Sequence, residues 1–153
     1  MKNTTLCYIE EEGAYLVLHR IKKVNDENKD KWIGIGGKFE PAESPFDCVR
    51  RECAEEVGAV PRNLRYRGVI TFVSDLYGTE YMHLFHAKDE SFIPTAECSE
   101  GELCWVKKND IPGLNIWQGD KIFLNLLLTE DRFFSLKLIY RGDVLTDHVI
   151  EFA

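Results

Sequence analysis

The chain has no excess of positive charge, no paired cysteine motif and no long apolar run. Its net charge of −7 argues against a broad face for nucleic-acid polymers or anionic membranes, since both need a basic surface. A small anionic ligand stays open, because a bound metal ion can supply the missing positive charge. The five cysteines, Cys7, Cys48, Cys53, Cys98 and Cys104, are odd in number and form no CxxC pair. Neither a disulfide framework nor a zinc knuckle is indicated, and reduced thiols in a cytoplasmic protein are expected. The N-terminal stretch MKNTTLCYIEEEG lacks the apolar run of a signal peptide, and no segment approaches transmembrane length. Repeats, low-complexity tracts and linkers are missing too, so one domain over residues 1–153 is expected. The histidines His19, His83, His86 and His148 show no ligand spacing, and no GxSxG nucleophile element occurs.

What is present is enough apolar material for a real core. Hydrophobic residues make up 44% of the 153 positions, which argues against disorder. Thr4 to Ile9 and Tyr15 to His19 read as strands joined by a turn at Glu12-Gly13. Lys22 to Lys31 is polar and aperiodic and reads as a mobile loop. Trp32 to Phe39 reads as a short Gly-rich strand and turn. Leu64 to Ser74, Thr79 to Ala87 and Leu103 to Val106 read as strands, Asp120 to Leu128 as a helix, and Phe133 to Tyr140 with Val144 to Phe152 as a hairpin. Strands and a few helices without regular βαβ alternation predict an α/β (α+β) fold, a mixed sheet packed between helices.

The strongest local signal is Ser44 to Val57. Ser44 suits the N-cap, Pro45 the first helical position, Asp47 the acid-favouring first turn and Gly58 the stop. Phe46, Val49, Cys53 and Val57 fall on one stripe at helical spacing and are expected to face the core. Glu52, Glu55 and Glu56 occupy an arc of roughly a quarter turn beside that stripe, at about 100° per residue. A solvated acidic face is the ordinary alternative, weakened because acids near a helix C-terminus oppose the macrodipole and a Gly-rich turn brings backbone close to them. Clustered carboxylate oxygens suit Mg²⁺ or Mn²⁺, which prefer hard ligands and keep waters for substrate phosphates.

These residues carry a family resemblance. Gly37, five residues, Glu43, seven residues, then Arg51-Glu52-Cys53-Ala54-Glu55-Glu56-Val57-Gly58-Ala59 resembles the Nudix box, GX5EX7REUXEEXGU, with every fixed position filled. Cys53 and Ala59 stand where a bulkier aliphatic is usual. The resemblance implies a Nudix-type α/β/α sandwich and Mg²⁺-dependent hydrolysis of a nucleoside diphosphate linked to another group. It implies that Glu52, Glu55 and Glu56 bind metal, with the Gly36 or Gly37 carbonyl as a further ligand. Arg51 would orient a box glutamate, and Glu43 would support it. The general base stays open between Glu52 and an acid of the later loop, Glu97, Glu100 or Glu102. Gly34-Ile35-Gly36-Gly37-Lys38 is not a Walker A loop, because Trp32 and Phe39 occupy positions that the motif reserves for Gly and Ser or Thr. Lys38 is either a phosphate contact or a surface lysine.

Two segments outside the box bear on the substrate. Lys31 to Lys38 resembles the WxGxGGK entry of the Nudix subgroup that sanitises oxidised purine nucleoside triphosphates. Asn115 to Asp120 resembles that subgroup's Trp-plus-acid base pocket. Trp117 would then stack on a purine and Asp120 bond to its polar edge, unless Trp117 is simply a core aromatic. With Phe72 to Asp75 and Phe133 to Leu138, the chain looks like the bacterial MutT-type 8-oxo-dGTP diphosphatases. Ile33 and Gly119 stand where eukaryotic members carry Asn and a second Asp, which leaves the base preference open. The implied reaction yields nucleoside monophosphate and pyrophosphate, a step of nucleotide-pool sanitation and DNA repair. The expected partner is a nucleotide, and the expected state a monomer or homodimer. Other Nudix substrates remain alternatives: ADP-ribose, a dinucleoside polyphosphate or an ordinary dNTP. A non-catalytic nucleotide sensor would be expected to lose box acids, and none is lost here.

Overall fold

The computed structural model describes residues 1–21, 28–94 and 101–153, and period-2 alternation in the first strand organises it. In β1 (Lys2–Glu11), Leu6 and Tyr8 enter one apolar cluster while Cys7 and Ile9 enter another. A strand buried on both faces needs a layer on each side, and two helices supply them. The cluster containing Cys7 and Ile9 holds Val49, Cys53 and Val57 of α1 (Pro45–Val57). The other holds Phe123, Leu124, Leu126 and Leu127 of α2 (Asp120–Thr129).

The remaining strands are β2 (Ala14–His19), β3 (Trp32–Ile33), β4 (Leu64–Ser74), β5 (Gly78–Lys88), β6 (Glu102–Lys107), β7 (Phe134–Arg141) and β8 (Val144–Phe152). They form one sheet in the order β3-β2-β1-β5-β4-β7-β8, with β6 pairing to β2. The β1–β5 and β4–β7 pairs are parallel and the others antiparallel. This is the mixed sheet between helices expected from the sequence.

The expected turns are where their residue types allow them. Glu12 and Gly13 take positive φ of 49° and 76° between β1 and β2, a hairpin turn that glycine eases. Helix α1 opens with a reciprocal capping box: Ser44 Oγ accepts from the Asp47 N–H at 3.1 Å, and the Ser44 N–H donates to Asp47 Oδ2 at 3.0 Å. Gly58 closes the helix at φ 77°, its N–H donating to the Ala54 carbonyl. Of the expected stripe, Val49, Cys53 and Val57 are fully buried, and Phe46 is half-buried against Phe85 and Tyr66. A 3₁₀ turn at Lys108–Gly113 was not expected. Such short turns leave no apolar period to read. Glu97, Glu100 and most of the polar loop at Lys22 to Lys31 lie outside the described residues.

Candidate active site

The glycine turn and the acidic helix meet because the chain after β3 runs antiparallel to the first half of β1. The Thr5 N–H donates to the Gly37 carbonyl at 2.9 Å, and Cys7 and Ile35 exchange two backbone bonds. Side chains are excluded at the two glycines by contact. A Cβ on Gly36 would lie 1.8 Å from the Thr5 carbonyl oxygen, and one on Gly37 would lie 2.6 Å from the Glu52 carboxylate. The Gly36 N–H donates to Glu56 Oε2 at 3.2 Å. Two box carboxylates therefore flank two adjacent glycines across the strand.

Arg51 ties the acids together. Its Nε and Nη2 donate to both oxygens of Glu43 at 2.7 and 2.9 Å, a bidentate pair. Its Nη1 donates to Glu52 at 2.8 Å and Glu55 at 3.2 Å, and Nη2 also reaches the Lys38 carbonyl. The Arg51 guanidinium beside Glu43 holds that carboxyl down to about 2. The three acids of the arc differ in setting: Glu56 is 8% exposed, the Glu52 side chain 12% and the Glu55 side chain 59%. Only Glu55 is a solvated surface acid. Among the described residues, no three His, Cys, Asp or Glu side chains gather closely enough to cage a cation alone. The donor set still suits Mg²⁺, which commonly takes one or two carboxylates and completes its shell with water and phosphate.

A cleft of about 800 Å³ runs from these acids across the sheet face that α2 covers. Glu52, Glu55, Arg51, Gly36, Gly37 and Lys38 line one end. Trp117, Asp120, Ile33, Gly34, Asn28 and Arg20 line the rest, with Phe72 and Met82 on the floor. Glu43 and Glu56 stand behind the lining residues rather than among them. Glu102 heads β6 opposite His19 and does not line the cleft.

The Trp117 end is built by sutures between distant segments. The Trp117 Nε1–H donates to Asn28 Oδ1 at 2.8 Å, and Asn115 donates to the Asp30 carbonyl at 2.9 Å. Trp117 is 6% exposed, set edge-on to Phe72 and Tyr140 at centroid distances of 5.5 and 5.2 Å. It is at once a core aromatic and a wall of the cleft. Trp32 is different: it lies flat on His19 at 4.4 Å and leaves the cleft lining to Ile33. Asp120 opens α2, 6% exposed. Burial pushes its carboxyl up to about 8, against the opposing pull of the Lys31 ammonium and a hydrogen bond from the Trp117 backbone. At neutral pH this acid carries a proton and can donate.

Lys2, Thr4, Arg20, Phe72, Tyr77, Glu80 and Met82 line the cleft without being marked as site residues by any sequence motif, although Phe72 begins the Phe72 to Asp75 segment of the resemblance. The available signal was alternation: Lys2 and Thr4 on β1, and Glu80 and Met82 on β5, share one face.

The chain is similar to known proteins in sequence and in fold. Residues 2–127 match the model of the NUDIX domain. The chain is 32% identical over 124 residues to the oxidized purine nucleoside triphosphate hydrolase of Danio rerio, covering 79% of this chain and 78% of that protein. It is 30% identical over 132 residues to the uncharacterized Nudix hydrolase YvcI of Bacillus subtilis, covering 84% and 80%. The crystal structure of the MutT protein from Bacillus halodurans superposes with a TM-score of 0.85 at 25% identity, covering 99% of this chain and 98% of that one.

Proposed function

The chain belongs to the Nudix hydrolase family, and on that premise we propose that it hydrolyses oxidised purine nucleoside triphosphates such as 8-oxo-dGTP to nucleoside monophosphate and pyrophosphate. Nudix hydrolases act on nucleotides and generally use divalent metal ions. The proposed ion is Mg²⁺, with Mn²⁺ as substitute, held by Glu52, Glu55 and Glu56 with the Gly37 carbonyl. Bound there, it supplies charge neutralisation for the phosphates and polarisation of the attacked phosphorus.

The observation that carries the reading is that one cleft joins the box acids to Trp117 and Asp120. Trp117 offers an aromatic wall to a purine, and protonated Asp120 donates to an acceptor on its edge. Lys38 lines the cleft beside the box acids as a cation for the phosphate chain. Arg51 fixes the rotamer of Glu52 through a 2.8 Å bond while Glu43 anchors Arg51 from behind. Glu52 thereby faces the cleft in one orientation, where it can hold metal or take a proton from water. Glu100 remains the alternative base.

Steady-state kinetics on 8-oxo-dGTP and dGTP, with product identification, test the proposal. The expected outcome is a higher kcat/KM for 8-oxo-dGTP, with pyrophosphate released. Equal kcat/KM for the two would sink the sanitising role and leave an ordinary dNTP hydrolase. Release of orthophosphate would overturn the bond assignment.

A further inference from the structure

A charged pair lies on the floor of the cleft where apolar packing would be the simpler choice. Lys2, Glu80 and Phe72 are opposite one another in register across β1, β5 and β4, and all three line the cleft. The next positions in register on that face are Thr4 and Met82, which also line the cleft, and the buried core residue Ile70. Glu80 is held from two sides: Thr4 Oγ1–H donates to its Oε2 at 2.7 Å, and Lys2 Nζ lies 3.3 Å from its Oε1. Its side chain is 14% exposed.

A carboxylate offers about four lone-pair sites, and these two bonds use one on each oxygen. The remaining acceptor capacity is fixed in direction by Thr4 and Lys2. Ionised phosphate oxygens have no donor to share with an acceptor carboxylate, so the part of a nucleotide that can bond to Glu80 is the nucleoside. The distances agree. Phe72 touches Trp117 at 5.5 Å, and one strand spacing of about 4.8 Å separates Phe72 from Glu80. A base against Trp117 therefore leaves the other side of the nucleoside over Glu80.

We infer that Glu80 is a specificity-determining residue: held by Thr4 and Lys2, it accepts a hydrogen bond from a neutral N–H or O–H donor of the bound nucleoside. This rests on the nucleotide-hydrolase reading above. The donor is an exocyclic amine of the base or a hydroxyl of the sugar. With Asp120 donating elsewhere in the cleft, the two acids would present opposite hydrogen-bond polarity to one ligand.

The test compares dGTP with dITP, which lacks the 2-amine, and with ddGTP, which lacks the 3′-hydroxyl. Wild-type, Glu80→Gln and Glu80→Leu are measured on all three, with melting temperatures. For Glu80→Leu we expect kcat/KM for dGTP to fall about tenfold or more, mainly through KM. Glu80→Gln, which keeps an acceptor oxygen, should lose less. The analogue lacking the bonded donor should show no further loss in the variant: dITP if the partner is the amine, ddGTP if it is the hydroxyl. An equal loss on all three nucleotides would reduce Glu80 to a cross-strand ion pair and overturn the assignment, as would no loss on any. Wild-type protein that turns over neither these three nor 8-oxo-dGTP would overturn the proposed triphosphate hydrolysis and Glu80's role with it. Turnover with a uniform Glu80 effect overturns the latter alone.

Discussion

The two ends of the cleft use the same functional group in opposite ways. At the box end, Glu43 meets the Arg51 guanidinium and its carboxyl is held down to about 2. At the Trp117 end, Asp120 is buried behind an indole wall and its carboxyl is pushed up to about 8. One carboxyl stays ionised to hold a cation, and the other stays protonated at neutral pH. The environment decides the chemistry of the group: a hydrogen-bonded cation outweighs desolvation at one end, and desolvation outweighs a more distant lysine at the other. The proposed substrate joins a charged polyphosphate to a neutral base, and it would need both environments within one ligand length.

The strongest way to break this contrast is at the box end. Glu56→Gln keeps the size of the side chain and a hydrogen-bond acceptor for the Gly36 N–H but removes the charge. We expect kcat to fall about a thousandfold or more, about 4 kcal/mol in barrier, with the fold intact. Steady-state rates at saturating Mg²⁺ check it, and near-wild-type turnover would refute a metal role for Glu56.

Arg51→Lys should have a smaller effect. Lysine keeps the charge but cannot reproduce the fork that holds Glu43 while reaching Glu52. A loss of about 10- to 100-fold in activity is expected, as for residues that orient metal ligands. Isothermal titration of Mn²⁺ into the variant should show the weakened site directly.

The smallest effect is at the other end and depends on pH. The folded Asp120 carboxyl titrates at about 8, above its ordinary value of about 3.9. It donates below pH 8 and loses that ability above it, so KM for a purine substrate should rise about tenfold per pH unit beyond that point. The same shift makes the fold progressively less stable as pH rises between about 4 and 8, because the unfolded chain ionises freely there. Asp120→Asn keeps a donor and should flatten the alkaline limb of the KM profile. A KM profile that keeps its alkaline limb in the variant would assign that limb to another group.

Legibility in the sequence differed between the same two regions. The capping box, the apolar stripe and the acid arc of α1 lie within about four helical turns, where 3.6-residue periodicity makes neighbours predictable. The Trp117 end draws on Asn28, Gly34, Phe72 and Asp120, whose proximity depends on strand pairing and on sutures such as Trp117–Asn28. A resemblance pointed to Trp117 and Asp120, but nothing in their spacing tells that Asp120 is buried or that Trp117 packs on Phe72 and Tyr140. Glu80 reads in sequence as an ordinary polar strand residue. Only the parallel register with β1 puts it opposite Lys2 and within reach of Thr4.

Local geometry is already written along the chain: a capped helix, the order of its acids and the glycines that precede it. Spacing along one helix sets those geometries, and the same spacing carries the family pattern. The partner of each charge and its access to water come from the fold. Those depend on which strands pair and which face a helix covers, and electrostatic energies change most where water is excluded. The chain wrote its acids in one dimension, and the fold made one of them a donor.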